Sequence, residues 1–145
     1  MDITIRTHKE FSSRVQHARL IHIAQKALRA EHASALTTLT IYITSDSEIR
    51  KLNRAFHATN SATDVLSFPS VTSDYLGDII ISYDTAKRQA HDADWHIADE
   101  LDLLAVHGIL HLLGYDDLTV RKRAKMWRRQ AEILGKKIRI QGATN

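Results

Sequence analysis

A-V-H-G-I-L-H-L-L-G-Y-D-D, residues 105–117, is the stretch on which the reading of this chain turns. Its apolar residues recur with helical periodicity. His107 and His111 lie four residues apart within it, so both imidazoles project from one face, a helical turn apart. Gly114, three residues past His111, is placed where a helix end favours a left-handed residue. The turn it makes would swing Tyr115, Asp116 and Asp117 back toward the histidines. Asp117 is then a natural third metal ligand, with Asp116 able to compete for the role. Two imidazoles and one carboxylate leave a fourth position on a tetrahedral ion for water, the layout of a catalytic rather than a closed structural site. The spacing also follows the H-E-x-x-H-x-x-G-x-x-H pattern of zinc peptidases, but Gly108 occupies the place of their glutamate base. Peptide hydrolysis is therefore disfavoured.

Outward from this stretch the helix extends back to about Ile97, with Leu101, Leu104, Ala105, Gly108 and Leu112 expected in the core. Glycine inside a helix costs about 1 kcal/mol against alanine. Gly108 therefore implies a close neighbour, either a strand or a bound substrate. A final helix, about Thr119 to Leu134, places Val120, Ala124, Trp127, Ala131 and Leu134 on one face and Arg121, Lys125 and Arg128 on another. Upstream, a helix is expected over Asp84 to about Asp92. Before it, Asp78–Ser82 contains Ile79-Ile80-Ile81, a strand buried on both faces. Val65–Phe68 is a short strand closed by Pro69, preceded by a polar loop over residues 57–62. Ser45 and Glu48 form a possible capping box for a helix running to about Phe56, and Leu36–Thr44 reads as a strand. Near the start, Ile3 and Ile5 alternate as in a strand, and Ser12 or Ser13 is the expected cap of a helix through Leu28. The sum is an α+β domain, a small mixed β-sheet packed against about five helices, with the metal site at the end of a central helix.

With 145 residues and 43% hydrophobic content, the chain is most simply one domain, 1–145, able to bury a sizeable core. It contains no cysteine, which excludes disulfides and thiolate metal sites. The N-terminus lacks a signal-peptide core and no apolar run is long enough to span a bilayer, so a cytoplasmic protein with no membrane partner is expected. The net charge of +3 hides an uneven distribution. Residues 74–117 hold ten acidic residues against Lys87 and Arg88, whereas residues 118–145 hold nine basic residues against Glu132. A basic stripe beside an acidic metal centre suits a nuclease, because the cations can hold a polyanion by its phosphates.

The run H-G-I-L-H-L-L-G-Y-D resembles the signature of the YbeY family, bacterial metal-dependent endoribonucleases of ribosomal RNA maturation. Leu52-Asn53-x-x-Phe56, Thr63-Asp64-Val65-Leu66-Ser67-Phe68-Pro69 and Leu76-Gly77-Asp78-Ile79 are similar to that family's other blocks, in the same order. Two positions depart from the family pattern. Its third metal-binding histidine falls at Asp117, and the arginine that follows the aromatic of the L-N-x-x-F block falls at His57.

The resemblance implies a single-strand-specific endoribonuclease acting in 16S rRNA 3′-end maturation and ribosome quality control, with single-stranded RNA and the ribosomal small subunit as partners. It places the metal ligands at His107, His111 and Asp117 and favours Asp117 over Asp116. The expected cofactor is one Zn²⁺ ion, with another divalent transition metal open because a carboxylate is harder than an imidazole. His57 is the candidate catalytic residue, able to carry a proton near neutrality where an arginine would only grip phosphate. Arg54, Arg121, Lys125 and Arg128 are candidate substrate-binding residues. Thr63, Asp64 and Asp78 are expected to cap, orient or support. The alternative is a ribosome-assembly or RNA-binding factor with a weakened or lost catalytic centre.

Overall fold

A computed structural model describes residues 1–57, 63–72 and 74–135, with the side chain of His57 outside that set. Four strands, β1 (Asp2–Thr7), β2 (Thr38–Thr44), β3 (Val65–Pro69) and β4 (Tyr75–Ser82), form one sheet in the order β1-β2-β4-β3. β1 pairs with β2 and β2 with β4 in parallel, while β3 runs antiparallel to β4 along one edge. The helices are α1 (His17–Ala30), α2 (Asp46–His57), α3 (Tyr83–Ala93), α4 (Ile97–Leu112) and α5 (Val120–Leu134). The sheet is therefore mixed and the class α+β, as the periodicities imply. No helix among the described residues is long and apolar enough to cross a membrane.

The isoleucine run of β4 explains the layering. Ile79 and Ile81 point into the main core with Leu39, Ile41 and Ile43 of β2 and the apolar faces of α1 and α4. Ile80, on the opposite face by the two-residue period of a strand, packs with Ile49 of α2 and Leu66 of β3. Both faces are covered, so the run need not alternate. α4 is the central helix, flanked by α1, α3 and α5 and backed by β3 and β4. That position explains why its sequence is apolar nearly all round: every residue from Glu100 to Val106 and from Gly108 to Leu110 is buried. Its buried Asp102 and the neighbouring Asp99 each accept a 2.9 Å hydrogen bond from Arg19 of α1.

Gly108 is the point of closest helix–sheet approach. A Cβ there would lie 2.8 Å from Ile79 Cγ2, so the close neighbour is strand β4 rather than a substrate. The Ser67 hydroxyl of β3 also reaches the Gly108 carbonyl oxygen, at 3.5 Å. At the other end of the sheet, Asp46 at the start of α2 accepts hydrogen bonds from Ser82, Thr85 and Arg88, which ties α2 to α3. The Ser45 hydroxyl accepts from the Glu48 amide, half of the expected box.

Two expectations are corrected. The first long helix starts at His17, with Gln16 rather than Ser12 or Ser13 at its N-cap, because Lys9–Phe11 forms a 3-10 turn that buries Phe11. There Phe11 stacks on Tyr83, with ring centroids 4.6 Å apart. The buried stripe of α5 is Met126, Gln130 and Ile133, not the face beginning at Val120, which is 76% exposed. Trp127 is only half-buried, on the flank of that stripe.

Candidate metal centre

The end of α4 is closed by two paired hydrogen bonds, from the Tyr115 amide to the Leu110 carbonyl and from the Gly114 amide to the His111 carbonyl, both 3.0 Å. Gly114 sits between them at φ +105°, a conformation costly for any residue with a Cβ. This reversal carries the chain back past the helix end. It brings a carboxylate oxygen of Asp117 and a ring nitrogen each of His107 and His111 to within 4.8 Å of one another. The two rings face each other nearly at right angles, with centroids 4.6 Å apart. Both histidines are half-buried and Asp117 is exposed.

Asp116 points elsewhere. Its carboxylate accepts a 3.0 Å hydrogen bond from the Leu118 amide and lies 3.4 Å from Lys122 Nζ. That amide hydrogen bond holds it below the usual carboxylate range. The two candidates left open by spacing are thus separated by the turn, with Asp117 on the histidine side.

Two interactions invisible to local patterning fix this geometry. His107 Nδ1 lies 2.6 Å from Oε1 of Gln130, which is 0% exposed on the buried face of α5. An amide oxygen only accepts, so Nδ1 carries the proton and Nε2 keeps its lone pair for a metal. Burial also holds the His107 imidazole below its ordinary pKa, with His111 adding to the effect, while Gln130, Asp64 and Asp117 oppose it. A neutral ring is the form that can ligate. The second anchor is Glu31 at the end of α1, which accepts from Tyr115 Oη at 2.7 Å and from Arg129 Nε at 2.5 Å. Burial alone would raise the Glu31 carboxyl, but those hydrogen bonds pull it below the usual range. Glu31 therefore pins the turn and α5 to the same helix.

The three residues open on a cleft of about 500 Å³ whose walls include Asn53 of α2, Thr63 and Asp64, and Val65, Leu66, Ser67 and Pro69 of the edge strand β3. Asp64 has both a structural and a site position. Its carbonyl accepts from the Ser82 amide at 2.9 Å, and its carboxylate on the cleft wall lies 3.4 Å from Gln89 Nε2. Asp78 is held away by Tyr75 Oη, a supporting arrangement.

The remaining candidates are dispersed. His57 ends α2, and its side chain lies outside the described residues. Arg54, Arg121, Lys125 and Arg128 are exposed, and none of them lines the cleft. Lys125 instead lies over the Tyr115 ring, 5.6 Å from its centroid, and borders a second cavity with Lys122, Asp116 and Gly114. Gln130 and Asn53 were not singled out from the sequence as site residues. Gln130 is a polar residue inside a buried helical stripe, a signal legible only once the stripe is placed correctly.

Comparison with known proteins bears on what such a site serves. Residues 2–137 match the family described as Endoribonuclease YbeY. The chain belongs to the YbeY endoribonuclease family. A relative named Endoribonuclease YbeY from Oceanobacillus iheyensis is 38% identical over 122 residues, covering 75% of this chain and 79% of its own length. One from Anaeromyxobacter is 36% identical over 135 residues, covering 90% of this chain and 70% of its own. One from Aquifex aeolicus is 49% identical over 82 residues, 54% of this chain and 55% of that relative. The solution structure of a Thermotoga maritima protein superposes with a TM-score of 0.64 at 26% identity, covering 91% of this chain and 86% of that one. Membership of the YbeY family places the chain in a class of hydrolases that cut RNA phosphodiester bonds. The donor set fits a divalent ion: two imidazoles and a carboxylate converge, and one imidazole is already held in the ligating tautomer.

Proposed function

We propose that this chain is a metal-dependent, single-strand-specific endoribonuclease of ribosomal RNA maturation, cytoplasmic, acting on the 3′ end of small-subunit rRNA and in ribosome quality control. The observation that carries the reading is the convergence of His107, His111 and Asp117 at the mouth of a cleft in a YbeY-family chain. Those three residues would hold one Zn²⁺ or another divalent transition metal. When bound, the ion would activate a water and polarise a phosphoryl oxygen.

The chain's own contribution is positioning. Gln130 presents Nε2 of His107 to the site, and Gly114 with Glu31 sets the turn that presents Asp117. The cleft is bounded by a sheet edge rather than by a closed pocket, which suits a strand passing through over a small molecule held inside. Asp64 places a carboxylate on the cleft wall, where it can hold a proton-bearing group such as a ribose hydroxyl or a water. His57, at the end of α2, is the candidate proton carrier. Arg54, Arg121, Lys125 and Arg128 lie outside the cleft and would act on RNA as long-range phosphate contacts.

The test is metal content together with cleavage of a single-stranded RNA and its duplex form by wild type, His111→Ala, Asp117→Asn and Asp116→Asn. Metal retention and cleavage are expected to fall together for His111→Ala and Asp117→Asn, and to persist in Asp116→Asn. RNA binding by the wild type without metal-dependent turnover would favour an RNA-binding assembly factor instead.

A further inference from the structure

We propose that the outer edge of β3 is a rail for the RNA backbone, on which the main-chain N–H groups of Val65 and Ser67 donate to the phosphates of two neighbouring nucleotides. The subsite rests on the RNA substrate proposed above. β3 ends the sheet order, so one of its sides pairs with β4 and the other pairs with no strand among the described residues. The register tells which groups lie on that open side. Just beyond the two ends of the paired stretch, the Ser82 amide donates to the Asp64 carbonyl at 2.9 Å and the Ser70 amide to the Leu76 carbonyl at 3.1 Å. In an antiparallel pair, positions bonded across in this way alternate with positions whose N–H and C=O point away from the partner strand. Residues 64, 66, 68 and 70 therefore face β4, and Val65, Ser67 and Pro69 turn their main-chain groups outward. Proline at 69 fits this parity, because there it gives up no hydrogen bond to β4.

The outward positions are also the ones beside the metal ligands. Val65, Ser67 and Pro69 all line the cleft shared with His107, His111 and Asp117. Ser67 Oγ lies 3.5 Å from the carbonyl oxygen of Gly108, the residue that follows His107. Among the described residues, no acceptor meets the N–H of Val65 or Ser67. An open strand edge is ordinarily blocked or kept short. Here it forms a wall of the candidate site.

The spacing and the surroundings select the occupant. Two residues of strand put the donors about 6.8 Å apart. Neighbouring phosphates along an extended RNA strand are separated by a comparable distance. The other polymer that pairs with a sheet edge is a peptide. Pro69 offers a peptide no third donor, and the family to which the chain belongs cuts RNA, so phosphate is the better match. Main-chain donors meet phosphate and not base, so the rail holds the strand in place beside the metal ligands without reading its sequence.

The experiment reads cleavage, because the cut bond fixes the register of the RNA on the protein. The full chain, with zinc or manganese added, is given a single-stranded RNA carrying one methylphosphonate at each position in turn. That change removes the charge and one acceptor oxygen of a single phosphate. Besides the bond that is cut, wild type is expected to lose about tenfold in kcat/KM at two neighbouring phosphates a fixed distance from it, in RNAs of different sequence. Ser67→Pro should cut unmodified RNA about tenfold less efficiently and be indifferent to one of the two substitutions, and Val65→Pro to the other. Ser67→Ala, which loses the hydroxyl and keeps the N–H, should keep both interfering positions. Circular dichroism and urea unfolding establish that each variant is folded. Where a proline unfolds the chain, an ester in place of the same amide removes the N–H without the ring and gives the same answer. Folded variants with wild-type kcat/KM and both interfering positions intact would overturn the rail and leave the endoribonuclease reading standing. A wild type that cuts RNA with no such pair of phosphates would also overturn it and leave the edge to a peptide strand. A wild type that cuts no RNA would overturn the endoribonuclease reading and the rail with it.

Discussion

Replacing Gln130 with Met separates the metal centre from the fold that supports it. In the native arrangement Gln130 Oε1 accepts from His107 Nδ1 at 2.6 Å, inside a contact where Gln130 is fully buried. Its Nε2 group has no hydrogen-bond partner among the described residues. Methionine has nearly the same reach but accepts almost nothing. It therefore removes one buried unsatisfied donor and creates another, the freed Nδ1–H. Each is worth about 1–3 kcal/mol with opposite sign, so the stability of the metal-free protein should change by no more than about 1 kcal/mol.

The metal should respond differently, because His107 loses the partner that fixes its tautomer and ring orientation. Loss of such an outer partner costs about 10–100-fold in metal affinity, or about 1.4–2.8 kcal/mol. Competition against a chromophoric chelator with zinc and manganese gives the affinity, and urea unfolding in chelator gives the stability. Gln130→Glu, which keeps an acceptor at the same reach, should retain tight binding. Metal affinity of folded Gln130→Met within twofold of wild type would refute the orienting role.

Two further predictions concern the central helix. Glu100 is buried, accepts a 2.9 Å hydrogen bond from Trp95 Nε1, and has its pKa raised by burial to about 7. The native state therefore holds a proton that the unfolded chain releases, and stability should fall as pH rises from about 4.5 to about 7, by roughly 3 kcal/mol from this group. Denaturant unfolding at pH 5 and pH 8 should show that slope in wild type and its loss in Glu100→Gln, with the variant more stable at pH 8; equal slopes would refute the assignment. Gly108→Ala places a Cβ 2.8 Å from Ile79 Cγ2. The gain of about 1 kcal/mol in helix propensity should be outweighed by overpacking of about 1–3 kcal/mol, giving a net loss in thermal or urea unfolding, whereas a gain would mean that the sheet yields.

Much of the candidate metal centre is written locally. His107 and His111 share a face because helical periodicity decides it, and the positive φ at Gly114 reflects the one residue that adopts it cheaply. Ile79-Ile80-Ile81 announces a strand covered on both faces for the same reason, since side-chain direction along a strand is set by the backbone alone. These features need no knowledge of neighbours. Local pattern failed where two elements had to be docked. The stripe of α5 looked apolar from Val120 onward, yet the face that meets α4 is Met126, Gln130 and Ile133. A glutamine at its centre has a physical reason only because His107, distant in sequence, supplies the partner.

The choice between Asp116 and Asp117 shows the same division. The sequence by itself determined that a carboxylate would follow a glycine turn at the end of a two-histidine helix. The family resemblance favours Asp117, but only the tertiary structure gives the physical reason that it faces the histidines, because Glu31 at the end of α1 grips Tyr115 and Arg129 and so sets the angle at which the turn leaves the helix. Backbone periodicity is a property of each segment taken alone, whereas the meeting of side chains from separate segments depends on the packing that brings those segments together.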